Sequence, residues 1–323
     1  MRTASDAGPS GPVEVRASGS LRPAEAAEVL DLVQEATHAD SVDPLSEHAL
    51  LSVQHGLDPH ARHVRVWDGG QLAGYGHLDP GDPDDPAHGA AGELVIRPAA
   101  RRRGLGLALG RALVAEAGGR QLRLWAHGDL PAATALAAAV GFGRSRALWQ
   151  MRRPLAPPLA EPQVPAGVTI RTFDVGHDED AWVAVNHRAF ARHPEQGSWT
   201  RADLELRERE PWFDPDGFFL AERDHGLAGF HWTKVHGRQD GSAAIGEVYV
   251  VGVDPAEQGS GLGRALTLIG MRYLRGRGLP EVMLYVDEKN VAAIRLYESL
   301  GFAHSATDVM FSAGGGGAAG GPA

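Results

Sequence analysis

The chain of 323 residues repeats itself once. The segment at 72–75 reads LAGY and the segment at 227–230 reads LAGF, while the Gly-Phe pair at 141–142 returns at 301–302. A repeat of roughly 155 residues is far longer than the unit of a solenoid, and it has the length of a complete domain. The sequence therefore predicts two tandem copies of one domain.

A proline-rich stretch separates the two copies. Five prolines lie between Arg153 and Gly167, and proline removes backbone donors and favours extended backbone. We expect a semi-rigid linker at 153–166 between an amino-terminal domain at 12–152 and a carboxy-terminal domain at 167–311. The Gly/Ala-rich segment at 312–323 is expected to be a flexible tail.

Each copy alternates short apolar strands with amphipathic helices. Two paired antiparallel strands precede a further strand, a glycine-rich turn and a helix, and a strand, a helix and a final strand complete the copy. This order predicts an α+β fold, in which a mixed sheet is covered by helices.

Composition and charge exclude several classes of function. The formal net charge of −10 argues against a nucleic-acid-binding protein that relies on diffuse positive charge. The chain has no cysteine, which excludes disulfides, thiolate metal sites and a cysteine nucleophile. The histidines lack the His-Glu-x-x-His spacing of a zinc site, so no metal is expected. No apolar run reaches the length of a membrane span, and we expect a cytoplasmic monomer that binds neither membranes nor nucleic acids.

A glycine-rich turn in the second copy is the first candidate binding site. Residues 258–263 read QGSGLG and lie between a strand and an amphipathic helix. Glycines let backbone N–H groups approach a ligand closely, and a helix N-terminus favours negative charge, so this turn can bind a pyrophosphate. The spacing fits neither a P-loop nor the dinucleotide fingerprint. A tight turn that binds nothing remains the alternative.

The turn and a second motif together resemble the GNAT superfamily of N-acetyltransferases. The second motif is NVAAIRLY at 290–297, followed by Gly301-Phe302. The resemblance implies that acetyl-CoA is the cosubstrate, with backbone groups at 251–253 along the pantetheine arm and the turn around the pyrophosphate. The cofactor-binding residues that it implies are Val251, Gly252, Val253, Gln258, Gly259, Ser260, Gly261, Leu262, Gly263, Arg264, Asn290, Val291, Ala292, Ala293, Ile294 and Arg295.

Two side chains of the second copy are the expected proton-transfer groups. The resemblance implies that Tyr297 protonates the departing thiolate, and a phenol with a pKa near 10 suits a thiol whose pKa is about 8–9. Glu247 lies on the strand that leads to the cofactor site, where a carboxylate can accept a proton from the acceptor ammonium. The alternatives are a packing role for Tyr297 and a surface position for Glu247.

The first copy has lost part of this set. It keeps a glycine turn after Arg101, but Ala137 stands where the second copy has Tyr297, and alanine cannot donate a proton. We therefore expect a domain that binds acetyl-CoA without turning it over, although the arginines at 101–103 could equally be a solvated surface run. The cofactor-binding residues expected here are Leu94, Val95, Ile96, Arg102, Arg103, Gly104, Leu105, Gly106 and Leu107.

Segments outside these motifs resemble the mycothiol synthase family, whose members have two tandem GNAT domains. They are HPEQG at 193–197, WFDPDG at 212–217, FHWTKVH at 230–236, GEVYV at 246–250 and WAHG at 125–128. The resemblance implies acetyl transfer, by direct attack in a ternary complex, to the cysteinyl amine of cysteinyl-glucosaminyl-inositol. The acceptor contacts that it implies are Glu47, Glu195, Lys234, Glu247 and Tyr285.

Two other functions remain open on the sequence. One is a tandem acetyltransferase for a different small amine, such as an aminoglycoside or a peptide N-terminus. The other is a non-catalytic acetyl-CoA-binding sensor, which Ala137 makes reasonable for the first copy and which Tyr297 and Glu247 oppose for the second.

Overall fold

The computed structural model describes residues 13–56, 60–81, 89–191, 196–237 and 243–313. They form two compact units. Unit 1 contains the described residues up to Leu148 and those from Ala306 onward, and unit 2 is Trp149–Ser305. None of the helices within these ranges is both long and apolar enough to span a membrane.

The elements alternate along the chain as the sequence predicts. The strands are β1 (Val13–Ser18), β2 (Arg62–Asp68), β3 (Gln71–Asp79), β4 (Ala91–Ile96), β5 (Arg123–Ala126), β6 (Phe142–Pro154), β7 (Thr169–Thr172), β8 (Phe218–Arg223), β9 (Gly226–His236), β10 (Ile245–Val253), β11 (Glu281–Asp287) and β12 (Ala303–Ala313). The α-helices are α1 (Pro23–Asp40), α2 (Glu47–His55), α3 (Leu105–Glu116), α4 (Pro131–Ala139), α5 (Glu179–Ala189), α6 (Arg201–Glu208), α7 (Leu262–Gly276) and α8 (Val291–Ser299).

The sheet of unit 1 has the strand order β1-β2-β3-β4-β5-β12-β6. Strands β4 and β5 run parallel, whereas β1–β2, β2–β3, β3–β4 and β5–β12 are antiparallel pairs. One apolar cluster joins α3 and α4 to the sheet through residues such as Leu109, and a second joins α1 and α2 through residues such as Leu32 and Tyr75. Helices thus cover both faces, because each face of the sheet carries apolar side chains that must be buried.

The sheet of unit 2 repeats this plan in the order β6-β11-β10-β9-β8-β7. Strands β10 and β11 are parallel, and β7–β8, β8–β9 and β9–β10 are antiparallel. Helices α7 and α8 pack on one face around Leu268 and Ile294, while α5 and α6 pack on the other around Trp182 and Leu204. The mixed sheet flanked by helices is therefore confirmed in both halves.

The division into units differs from the sequential boundaries expected from the sequence. The last strand, β12, pairs with β5 of unit 1 from Val309 to Ser312, and the end of β6 from Trp149 onward belongs to unit 2. The physical reason is that β5 would otherwise present an unpaired edge beside β4, and β12 satisfies its backbone groups. The expected tail also begins too early, since Ser312 and Ala313 are part of β12; residues 314–323 lie outside the described part of the chain.

The proline-rich stretch packs against unit 2. The backbone N–H of Leu155 donates to the carbonyl of Pro280 at 2.8 Å. Leu155 and Leu159 are buried in the apolar cluster that holds α7 and α8. Leu155 and Leu159 therefore hold the proline-rich stretch against the helices of the second unit.

Candidate active site

An opening between two parallel strands organises the site in unit 2. Strands β10 and β11 pair at Gly246 with Val282 and at Glu247 with Met283. Both strands continue beyond this point, and β10 keeps its partners on β9 as far as Val253. On the side of β11, the backbone groups at 251–253 therefore border a gap into which an extended ligand can insert as a strand.

A β-bulge at Tyr249 changes the direction of the side chains beside this gap. Val248 pairs with Thr233 and Val250 with Trp232, so Tyr249 is the extra residue on β10. Bulges re-aim side chains near active sites, and this one places Tyr249 on the same face as Glu247 and Lys234. The ring of Tyr249 lies 5.2 Å from that of Trp232.

Glu247 is the last residue of β10 that pairs with β11, and its side chain is 9% exposed. Its Oε2 is 2.6 Å from Nε2 of His236. Lys234 is its direct partner across the β9–β10 ladder, and the Lys234 ammonium lies over the rings of Trp212 at 4.3 Å and Tyr249 at 5.2 Å. Two of the expected acceptor contacts thus meet on one face, together with a histidine that sequence reasoning did not use.

Tyr297 lies on the opposite face of the same sheet. It is buried in the cluster that contains Val248 of β10 and Leu284 of β11, and its ring packs edge-on against Phe302 at 5.8 Å. Within the described chain, its hydroxyl makes no hydrogen bond. Burial raises the pKa of Tyr297 to about 12, so the phenol is protonated at neutral pH.

The glycine turn before α7 has the form expected of an anion site. Gly259 and Gly261 have φ of +83° and +89°, a conformation that disfavours any residue with a side chain. A Cβ at either position would meet nothing within 4 Å, so the space beside the backbone is open. Gly261 is the N-cap of α7, whose first N–H groups have no partner within the helix. Arg264 follows the turn, and its Nη1 donates to Ser299 of α8 at 2.7 Å.

The second motif divides into structural and accessible residues. Asn290 caps α8, because its Oδ1 accepts from the backbone N–H of Ala293 at 3.2 Å. Ile294 of α8 and Leu262 of α7 are core residues. Val291, Ala292 and Arg295 are exposed. Ile294 and Leu262 are therefore structural residues of the core, Asn290 is an exposed helix cap, and Val291, Ala292 and Arg295 remain expected contacts.

The three other expected acceptor contacts are Tyr285, Glu195 and Glu47. Tyr285 is 43% exposed, and its hydroxyl accepts from Nε2 of Gln150 at 3.0 Å. It lies two residues beyond Met283 on β11, and therefore on the face of Glu247. Glu195 lies outside the described residues. Glu47 begins α2 of unit 1, and its role as an acceptor contact stays a prediction.

Unit 1 has a cavity of about 460 Å³ at the corresponding place. Here too the pairing of the parallel strands stops early, with Glu93 opposite Trp125. The expected cofactor residues that line this cavity are Leu94, Val95, Ile96, Arg102, Gly104, Gly106 and Leu107. Ala137, the counterpart of Tyr297, lines it as well. Leu105 instead belongs to the apolar core.

The arginines beside this cavity are less available than their sequence suggests. Arg101 makes two bonds of 2.7 Å to the carboxylate of Asp40, and Arg103 pairs with Asp68 at 2.5 Å. Arg103 is not among the lining residues, because this ion pair directs it elsewhere. Arg102 is exposed, has a φ of +63°, and has no ion pair within the described chain. It is the guanidinium best placed for a phosphate.

A buried ionic cluster at the end of this cavity was not anticipated. Nδ1 of His127 is 3.1 Å from Asp308, its Nε2 is 3.6 Å from Glu93, and Glu93 accepts from the backbone N–H of Ser46 at 2.6 Å. Burial alone would lower the pKa of His127, but bonds to Asp308 and Glu93 raise it to about 10. Burial alone would raise the pKa of Glu93, yet His127 and Ser46 hold it below its usual value. The repeat aligns Gly92-Glu93 with Gly246-Glu247, and this alignment was the one sequence feature that pointed to Glu93.

We expect Asp308→Asn to lower the pKa of His127, because the amide removes a negative charge that stabilises the imidazolium. A raised pKa stabilises the fold fully below the unfolded value of about 6.5, and this contribution is lost as pH rises toward about 10. Thermal stability of the wild type should therefore fall more across this window than that of the variant. The measurements are NMR titration of the His127 ring and unfolding temperatures against pH. Asp129→Asn is the control, because it alters an exposed ion pair with Arg144. Indistinguishable titrations of His127 in D308N and the wild type would contradict the role of Asp308 in raising the pKa of His127.

Comparison with known proteins agrees with this geometry. The family model described as "Acetyltransferase (GNAT) family" matches residues 27–142 and 181–302. A curated relative from Thermobispora bispora, named "Mycothiol acetyltransferase", is 57% identical over 302 residues, which are 93% of this chain and 98% of the relative. A relative of the same name from Thermomonospora curvata is 59% identical over 295 residues, 91% of this chain and 95% of its own.

Solved structures show the same tandem fold. A GCN5-related N-acetyltransferase from Sphaerobacter thermophilus has a TM-score of 0.68 at 26% identity, and the match covers 93% of this chain and 95% of that one. A tandem GNAT protein from the clavulanic acid biosynthesis pathway matches with a TM-score of 0.68 at 22% identity, over 95% of this chain and 99% of that one. The chain therefore belongs to the GNAT family of acetyltransferases, and each half carries one copy of the family's domain.

Proposed function

We propose that unit 2 transfers the acetyl group of acetyl-CoA to the cysteinyl amine of cysteinyl-glucosaminyl-inositol, which gives mycothiol. The observation that carries this proposal is the placement of Glu247 and Tyr297 on opposite faces of the sheet that β10 and β11 form. The relatives named mycothiol acetyltransferase support the choice of acceptor, since they match this chain over about nine-tenths of its length. The substrates are small molecules, and we further propose a cytoplasmic monomer that needs no metal.

The two residues divide the proton transfers between them. Glu247 accepts a proton from the acceptor ammonium, which leaves a free amine able to attack the thioester carbonyl. Tyr297 gives its proton to the sulfur that leaves, because its buried hydroxyl is protonated and makes no hydrogen bond to other described residues. The attacking nitrogen loses its second proton as the amide forms, and that proton restores the Tyr297 phenol. With no cysteine in the chain, direct transfer from acetyl-CoA to the amine is the route.

The surrounding residues bind and orient the two substrates. The backbone groups at 251–253 take the pantetheine arm as an added strand, and the N–H groups at the start of α7 take the pyrophosphate. Lys234 and Tyr285 share the face of Glu247 and can hydrogen-bond a polyhydroxylated acceptor. Glu195 is a further acceptor contact in this proposal, on the strength of the family resemblance.

The acceptor is tested by the rate of CoA release from purified protein with a panel of amines. We expect rapid release with cysteinyl-glucosaminyl-inositol and much slower release with an aminoglycoside or a peptide N-terminus. The polar face beside Glu247 provides the physical reason, since it offers partners for many hydroxyl groups. Rapid turnover of another amine, with none of the cysteinylated pseudodisaccharide, would show that the acceptor is wrong while acetyl transfer stands.

We expect Tyr297→Phe to lower kcat by about 10²-fold or more, because the departing thiolate loses its proton donor. The KM for the acceptor should change little, since Tyr297 lies on the other face of the sheet. Steady-state kinetics with both substrates varied provide the measurement. Tyr273→Phe is the matched control, because it removes a hydroxyl that bonds Asp214 within unit 2. An unchanged kcat in Y297F would rule out the acid role.

Unit 1, in this proposal, binds acetyl-CoA and does not transfer its acetyl group. Its cavity has the lining expected of a cofactor site, but Ala137 supplies no proton. Glu93, the counterpart of Glu247, already accepts from Ser46 and is neutralised by His127. A base that is buried and ion-paired in this way is poorly suited to take a proton from a substrate.

We expect Ala137→Leu to reduce the stoichiometry of acetyl-CoA binding from two sites to one, because the larger side chain fills the cavity of unit 1. Titration calorimetry measures the stoichiometry, and kcat should be retained because unit 2 is unaltered. Ala138→Leu is the control, since Ala138 is the exposed neighbour on α4 and does not line the cavity. One site in the wild type, unaffected by A137L, would show that unit 1 does not bind acetyl-CoA.

A further inference from the structure

His236 is an ionisable group in contact with Glu247, and it has no role in the mechanism proposed above. Its Nε2 lies 2.6 Å from Oε2 of Glu247. His236 is the last residue of β9 and pairs with Ile245, so Glu247 is its diagonal neighbour on the same face of the ladder. The contact is thus set by the strand register, and both side chains are carried by regular structure.

Each transfer leaves one proton to be disposed of. An ammonium and a thioester become an amide and a thiol, and one proton must pass to solvent for every amide formed. If Glu247 accepts that proton, it must lose it before the next acceptor is bound. The side chain of Glu247 is only 9% exposed, whereas that of His236 is 34% exposed. His236 therefore connects the buried carboxylate to water.

We propose that His236 carries the proton of the acceptor amine from Glu247 to solvent, an inference that rests on the proposed function of unit 2. The amine proton forms a bond to Glu247, and the protonated carboxyl passes it to Nε2 of the neutral imidazole. The imidazolium releases its other proton from Nδ1 to water, and exchange with solvent restores the starting tautomer. Glu247 is again a carboxylate, and the net result is one proton released per turnover. An imidazole suits this role because its pKa lies near neutrality.

Three other ionisable residues described on this face, Lys234, Tyr249 and Tyr285, have partners of their own. The Lys234 ammonium lies over the rings of Trp212 and Tyr249, and the Tyr249 hydroxyl accepts from Nε of Arg207 on α6 at 3.1 Å. The Tyr285 hydroxyl accepts from Gln150. His236 combines a contact of 2.6 Å with Glu247 and a side chain that is 34% exposed.

The test compares His236→Gln and His236→Ala with the wild type at low and high buffer concentration. Glutamine can still donate a hydrogen bond to Glu247 but cannot carry a proton, and alanine can do neither. We expect both variants to lose about tenfold or more in kcat at low buffer concentration, with little change in the KM of either substrate. Added imidazole should restore much of the lost rate, and the wild type should respond little to it.

His177→Gln is the matched control, because His177 is an exposed histidine paired with Asp174 away from the site. Full kcat in H236Q, with loss only in H236A, would mean that His236 merely orients Glu247 and would overturn the relay. A loss in both variants that neither buffer nor imidazole restores would overturn it too. Absence of acetyl transfer by the wild type would instead reject the proposed function. Thermal unfolding shows whether each variant is folded. If H236A is unfolded, the comparison of H236Q with the wild type tests the relay.

Discussion

The early end of pairing between two parallel strands is the constraint on which the rest of the site depends. β10 and β11 pair at Gly246 and Glu247 and then continue separately. Backbone groups on the open edge of β10 need partners, and an extended ligand can supply them. Glu247 lies on one face of the sheet beside this gap, and Tyr297 on α8 is buried against the other face.

The two units show how one architecture can have different chemistry. Both place a glutamate at the last paired position of the parallel strands, Glu93 in unit 1 and Glu247 in unit 2. In unit 1 the glutamate is enclosed with His127 and Asp308, and Ala137 stands where unit 2 has Tyr297. In unit 2 the glutamate contacts His236, whose side chain is 34% exposed, against 18% for His127. The partner histidine of the glutamate is therefore more accessible to water in unit 2 than in unit 1.

Glycine content and motif spacing predicted the backbone of the turn before α7. Gly259 and Gly261 have the left-handed backbone that their motif implies, and the strands and helices around them follow the predicted order. Single residues within the motifs were harder to interpret. Asn290 caps a helix, Ile294 and Leu262 fill the core, and Arg103 is bound to Asp68. A linear motif does not distinguish residues that contact a ligand from residues that shape the backbone, because both recur at fixed spacing.

The amino-acid sequence alone was enough to show that the chain is a tandem GNAT protein and that alanine stands in the first copy where the second has Tyr297. These properties follow from local patterns, such as glycine spacing, apolar periodicity and the exchange of Tyr297 for Ala137. Only the tertiary structure decided which charges meet. Asp308 follows His127 by 181 residues yet lies beside it, because β12 pairs with β5. His236 meets Glu247 because of the β9–β10 register. Such contacts depend on how distant strands align, and a short motif does not encode that alignment.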